Sequence, residues 1–112
     1  MFHYSTKLEL LWGEKMDIIL WLQNWYLSNC DGDWEHSYGI KIYTLDNPGW
    51  VVEINLQETE FENMEFSVIQ IERSDNDWVH CMKKDNYFIG SGGPNNLIEI
   101  VNLFKEWVTS VS

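Results

Sequence analysis

The stretch Tyr38-Gly39-Ile40-Lys41-Ile42-Tyr43-Thr44-Leu45-Asp46-Asn47-Pro48-Gly49-Trp50-Val51-Val52-Glu53-Ile54-Asn55-Leu56 decides the fold. Tyr38, Ile40 and Ile42 recur at every second position, and so do Trp50, Val52, Ile54 and Leu56. A β-strand turns successive side chains to opposite faces, so each run has one apolar face. Between them, Asp46-Asn47-Pro48-Gly49 offers a fixed φ at Pro48 and tolerance of positive φ at Gly49, as a type II turn requires. An antiparallel hairpin of strands 38–45 and 50–56 is therefore predicted.

Working outward, a strand at about Glu65–Arg73 is predicted to join another at about Trp78–Lys83 through Ser74-Asp75-Asn76-Asp77. A turn at Lys84-Asp85-Asn86 then leads into a short strand, Tyr87-Phe88-Ile89. Gln57 to Met64 reads as a looser acidic connection. Gly90-Ser91-Gly92-Gly93-Pro94 is expected to end the sheet, and Asn96 to cap a last helix with Glu99 at the capping-box position. Leu97, Ile100, Val101, Phe104, Trp107 and Val108 would form its buried face. Upstream, Ile18, Ile19, Leu22, Trp25 and Tyr26 follow helical spacing from Met16 to about Asn29, with Asp17 near the positive end of the helix dipole. Leu20, Trp21 and Leu27 widen its apolar face, which predicts a helix covered on more than one side. Cys30-Asp31-Gly32 ends it, Gly32 being free to adopt a left-handed conformation. The order predicts an α+β domain: an antiparallel sheet of four to five strands flanked by an N-terminal and a C-terminal helix, with the helices on one face.

Residues 1–15 differ in character from the rest of the chain. Gly13 cuts the Leu8-Glu9-Leu10-Leu11 run, and Trp12-Gly13-Glu14-Lys15 needs purine-rich codons, as a ribosome-binding site would. Translation is therefore expected to start at Met16, leaving 1–15 as a doubtful extension and 16–112 as one domain. An ordinary terminal arm is the alternative.

The 112 residues, 45% of them hydrophobic, suffice for one domain with a real core. Seven Trp, five Tyr and five Phe exceed what such a domain easily hides, which predicts some at the surface and leaves monomer and homodimer both open. Eighteen acidic residues against seven basic ones give a net charge of −11, which repels phosphate backbones and argues against direct nucleic-acid binding. Such a surface suits a basic protein partner. It also serves plain solubility. Cys30 and Cys81 are too few for a disulfide scaffold and are expected as reduced thiols. No apolar run approaches the roughly 20 residues of a membrane span, and the start lacks a signal-peptide pattern, which predicts a cytoplasmic location.

Cys30, Asp31, Asp33, Glu35 and His36 include metal-ligating residue types, but their spacing fits no standard site. Counting from Asp31, the sixth and twelfth positions of a calcium loop are His36 and Ile42, not Gly and Glu. A thiol enzyme would need Cys30 or Cys81 activated by His36 or His80. Cys81 and His80 are neighbours on one strand and point apart, and the C-terminal end of a helix raises a thiol pKa at Cys30. A phosphate loop at Gly90–Pro94 lacks the Lys-Ser or Lys-Thr pair that such loops use. No catalytic residue, metal or cofactor is therefore expected. What remains is an acidic and aromatic surface: Asp31, Asp33, Glu35, His36, Glu58, Glu60 and Glu62, with Trp34, Trp50 and Trp78 open to either a core or an interface role.

The segments Trp25-Tyr26, Cys30-Asp31-Gly32-Asp33-Trp34-Glu35-His36, Tyr38-Gly39-Ile40 and Thr44-Leu45-Asp46-Asn47-Pro48-Gly49-Trp50 occur in an order that resembles the immunity protein 53 family of bacterial polymorphic-toxin systems. Asp77-Trp78, Asn86-Tyr87-Phe88-Ile89-Gly90, Gly92-Gly93-Pro94 and the helix from Leu97 to Trp107 continue the resemblance, which runs from about Met16 to Val108. It implies an antidote that binds a cognate toxin without catalysis. It names neither the toxin nor contact residues. For a toxin with a basic groove, such as a nuclease, Asp31, Asp33, Glu35, Glu58, Glu60 and Glu62 would occupy the path of the substrate's phosphates. A small cytosolic thiol- or metal-dependent enzyme built on Cys30–His36 is the competing expectation.

Overall fold

A computed structural model describes the backbone of residues 7–111 and the side chains of residues 17–111. Helix α1 (Lys7–Asn29) and a short α2 (Trp34–Ser37) precede β1 (Ile40–Leu45), β2 (Gly49–Asn55), β3 (Ile69–Ser74), β4 (Asp77–Lys84) and β5 (Tyr87–Gly92), and α3 (Leu97–Val111) closes the chain. The fold is the expected α+β class. All strand pairs are antiparallel in the order β1-β2-β5-β4-β3, so the hairpin β1–β2 joins the meander β3–β4–β5 through β2 and β5.

Alternation gives the sheet one inward face. Val52, Ile54, Phe88, Val79 and Cys81 turn inward and are fully buried or nearly so. Helix α3 lies across them on β2, β4 and β5, burying Ile100, Val101, Phe104, Trp107 and Val108, as its spacing predicts. Helix α1 packs on α3 in turn: Ile18 and Leu22 are buried, and the rings of Trp21 and Trp25 meet Phe104 edge-on at 5.9 and 5.0 Å. These positions form one i, i+3, i+4, i+7 stripe. α1 is not covered on more than one side, for Leu20 and Leu27 are 52% and 63% exposed.

Several boundaries differ from the sequence-based expectation. α1 is already helical at Lys7, upstream of Met16, so Asp17 lies within the helix and away from its first turn. One glycine, Gly13, costs a helix only about 1 kcal/mol relative to Ala and does not stop it. The proposed translation start concerns residues 1–15, whose side chains, and for 1–6 the backbone too, lie outside the described residues. The first hairpin turns on three residues, Asp46-Asn47-Pro48, with Leu45 opposite Gly49, and Gly49 does not take positive φ. Its role is close approach: a Cβ there would run into the Gly92 carbonyl of β5. Asp85 and Asn86, with φ of 52° and 66°, make the two-residue turn between β4 and β5 that strand twist favours.

The largest difference is at the glycines. Gly90 and Gly92 do not end the sheet; they lie in β5, its central strand. Their missing side chains let α3 sit close, since a Cβ at Gly90 would collide with Ile100.

Candidate functional site

The acidic segment after α1 is organised by its own carboxylates. Gly32 leaves the helix with φ of 98°. The Asp31 carboxylate accepts the backbone N–H of Asp33 and Trp34 at 2.9 and 3.0 Å. Glu35 reaches back and accepts the N–H of Asp31 and Gly32 at 3.0 and 2.8 Å. These bonds hold both acids below their usual range, Asp31 chiefly through the Trp34 N–H and Glu35 chiefly through its own backbone N–H, helped by those of Asp31 and Gly32. The Asp31 carboxylate thus satisfies the Trp34 N–H at the start of α2, while Glu35 reaches back from α2 to the loop before it.

This closed loop drives Trp34 into the core, at 2% exposure. Its ring packs near Trp25 and Tyr26 with centroids 6.2 and 5.7 Å away, and its indole N–H donates to the Gln57 carbonyl at 3.0 Å. Of the two roles the sequence leaves open, Trp34 takes the core. Its side chain ties the loop to the 57–64 connection and is not offered at the surface.

The second acidic segment lies against the first. The nearby Glu58 carboxylate, then burial and the charges of Glu58 and Glu62, raise the pKa of the Tyr38 phenol. Glu58 holds a left-handed φ of 62°, and its N–H donates to Glu62 Oε1 at 2.8 Å. From the far side, the Lys83 ammonium donates to the carbonyls of Phe61, Glu62 and Met64, and the Trp107 indole to that of Glu65. Sequence reasoning missed Lys83; a lone lysine on the inward face of a strand is the signal that could have found it. Asp31, Asp33, His36, Glu58 and Glu60 are exposed, Glu35 and Glu62 half-buried. The Asp33 side chain makes no capping hydrogen bond. Glu58 and Glu60 border a hollow of about 460 Å³ floored by Trp21, Trp25 and Phe61.

Trp50 and Trp78 are elsewhere. The acidic segments adjoin the sheet end where Asn55 faces Tyr87, whereas Trp50 and Val79 both pair with Gly92 at the opposite end. Trp50 points inward, half-buried, and its indole donates to the Pro94 carbonyl at 3.0 Å. Trp78 points outward beside His80, ring centroids 5.0 Å apart. The sequence-predicted residues therefore form two groups at opposite ends of the sheet.

Cys81 is buried under α3, and burial, then the Glu99 charge, pushes its thiol up to about 12. Cys30 is half-exposed and donates from Sγ to the Tyr26 carbonyl at 3.4 Å. Among the described residues no three His, Cys, Asp or Glu side chains converge as metal ligands would, and no helix is long and apolar enough to cross a membrane.

The geometry defines a small acidic α+β domain whose most marked motif is spent on folding, with other acids and aromatic rings left at the surface. Comparison with known families makes this specific: the immunity protein 53 family model matches residues 19–109, and the chain belongs to that family. No curated protein and no solved structure matches it.

Proposed function

We propose that this protein binds a cognate toxin and neutralises it stoichiometrically, by protein–protein contact and without catalysis, in the cytoplasm of the cell that makes both. Membership of an immunity family is the observation that carries this. The charge of −11 supports a basic partner, such as a nuclease-type domain, because complementary potentials speed encounter and reject wrong partners. Asp31, Asp33, Glu35, Glu58, Glu60 and Glu62 contribute one side of that field, with His36 exposed among them. Asp31 and Glu35 do so as charges held in place by backbone N–H groups, and Asp33 and Glu60 as freely exposed ones.

Co-expression with neighbouring open reading frames, followed by pull-down, tests the proposal: a neighbour lethal alone and harmless with this protein should be captured in equimolar complex. Charge reversal belongs at Asp33 and Glu60, since Glu35 organises its loop. Asp33→Lys with Glu60→Lys should slow association and weaken its salt dependence. A toxin complex indifferent to both would remove the acids from the encounter, and turnover of a small molecule lost in Cys30→Ser would overturn the proposal.

A further inference from the structure

The helices cover one face of the sheet over β2, β5 and β4; among the described residues no helix packs on the other. Cross-strand pairing puts Tyr43, Val51, Ser91, His80 and Gln70 in one row across all five strands, and Glu53, Ile89 and Met82 in the next. Tyr43 and Met82 on this face are 44% and 40% exposed. Interfaces use such half-exposed aromatic and Met side chains as anchors.

At one end this face deepens into a groove of about 550 Å³ whose lining includes Glu72, Arg73, Asp75, Trp78, His80 and Ser91. Glu72 stands across from Trp78 on the neighbouring strand and holds His80 Nε2 at 3.0 Å. Arg73 is already engaged: it donates from Nε to Asp77 at 3.0 Å and from Nη2 to Glu99 at 2.6 Å, while the Asn96 amide donates to the same two carboxylates. Arg73 is thus neutralised by Asp77 and Glu99, and the charges left on the groove lining are the carboxylates of Glu72 and Asp75, so the groove carries a negative excess. Of the three tryptophans singled out in the sequence, Trp34 is buried and Trp50 points inward; Trp78 alone presents its ring on the open face.

We infer that this groove is where the partner is gripped, and that its occupant is an arginine side chain on a basic protein segment, seated against Trp78 and His80 with its guanidinium toward Glu72 and Asp75. A flat guanidinium stacks on an indole and pairs with carboxylates at its edge, whereas a lysine ammonium supplies a point charge without the plane. Ser91, on the central strand, offers a further acceptor at the groove floor. The inference rests on toxin binding as the function and gives it a contact surface, with the acids at the far end acting at long range.

The test is a titration of the full-length 15N-labelled protein with acetylated, amidated hexa-arginine, and with the hexa-lysine peptide of equal charge. The Trp78 indole and the amides of Glu72, Trp78 and His80 should shift, with hexa-arginine binding at least several-fold more tightly than hexa-lysine. Trp78→Ala should lower hexa-arginine affinity about 5- to 10-fold and abolish the preference. Glu72→Lys, at a position 71% exposed and so without risk to folding, should lower it by a similar factor. Shifts centred on Asp33, Glu58 and Glu60, or equal response to both peptides, overturn the inference. So does a captured toxin whose affinity for Trp78→Ala and Glu72→Lys stays within twofold of wild type, a result that leaves toxin binding itself standing. Failure of the wild type to capture any neighbouring toxin would instead strike the proposed function, and the peptide titration then decides the groove alone.

Discussion

Replacing Trp34 by alanine distinguishes a motif that folds the protein from one that meets a partner. The indole is 2% exposed, lies against Trp25 and Tyr26, and donates to the Gln57 carbonyl at 3.0 Å. Truncating a buried tryptophan costs about 3–5 kcal/mol, and the carbonyl left without its donor places Trp34→Ala in the upper half of that range. A chain of this length has a total stability of the order of 5–15 kcal/mol, so the change removes a large share of it. With a urea slope of about 2 kcal/mol per molar, the unfolding midpoint should fall by roughly 2 M at unchanged slope. Trp34→Phe keeps a ring but loses the N–H and should lower the midpoint by about 0.5–1 M. Equilibrium urea unfolding followed by far-UV circular dichroism measures both. If Trp34→Ala stays within ~0.3 M of wild type while losing its partner, the ring belongs to an interface and the account of the loop is wrong.

Three further outcomes are expected from the packing and the charges. Gly90→Ala should destabilise the domain by about 1–3 kcal/mol, because the added methyl meets Ile100, Phe88 and Cys81, and a thermal melt would show it. Asp31 and Glu35 titrate below the ordinary values of 3.8 and 4.5, so the folded state releases their protons more readily than the unfolded one. Their stabilisation is therefore complete above those values and is lost as pH falls through the folded ones; melting temperature against pH should show a shallower acid limb in Asp31→Asn with Glu35→Gln than in wild type. Thiol titration of the native protein at pH 8 should find one fast cysteine, Cys30, removed by Cys30→Ser, and one that reacts only on unfolding, Cys81, whose burial holds it as a thiol.

The elements most legible in the sequence were those whose signal is local. The alternation at Val52 and Ile54 and the 3.6-residue stripe from Ile100 to Val108 each declare one buried face and hold in the structure, whereas on the edge strand β1 Ile42 stays 41% exposed, since α3 packs on β2, β4 and β5. Gly90 and Gly92 misled because a glycine shows no side chain to count; their place in the central strand depends on Ile100, a contact that only the assembled sheet creates. The exposure of Leu20 and Leu27 has the same origin, since among the described residues α1 packs chiefly on α3. At the candidate site, the acids were visible but their division of labour was not. Asp31 lies two and three residues before the N–H groups it accepts, and Glu35 three and four after its own, a spacing that marks a self-capping turn. Nothing local placed Trp50 and Trp78 at the opposite end from the acids, because that arises from strand register.

The seam between β2 and β5 governs when this domain can exist at all. Val52 and Ile54 find their ladder partners at Gly90 and Phe88, and their cover in α3, both far downstream. During synthesis the first hairpin must wait, one edge bare, until β5 and α3 have been made. Closing that gap late carries the loop-entropy cost that slows non-local pairing. A chain released before Phe88 would therefore be a target for proteases, and the domain would be whole only once α3 has joined it.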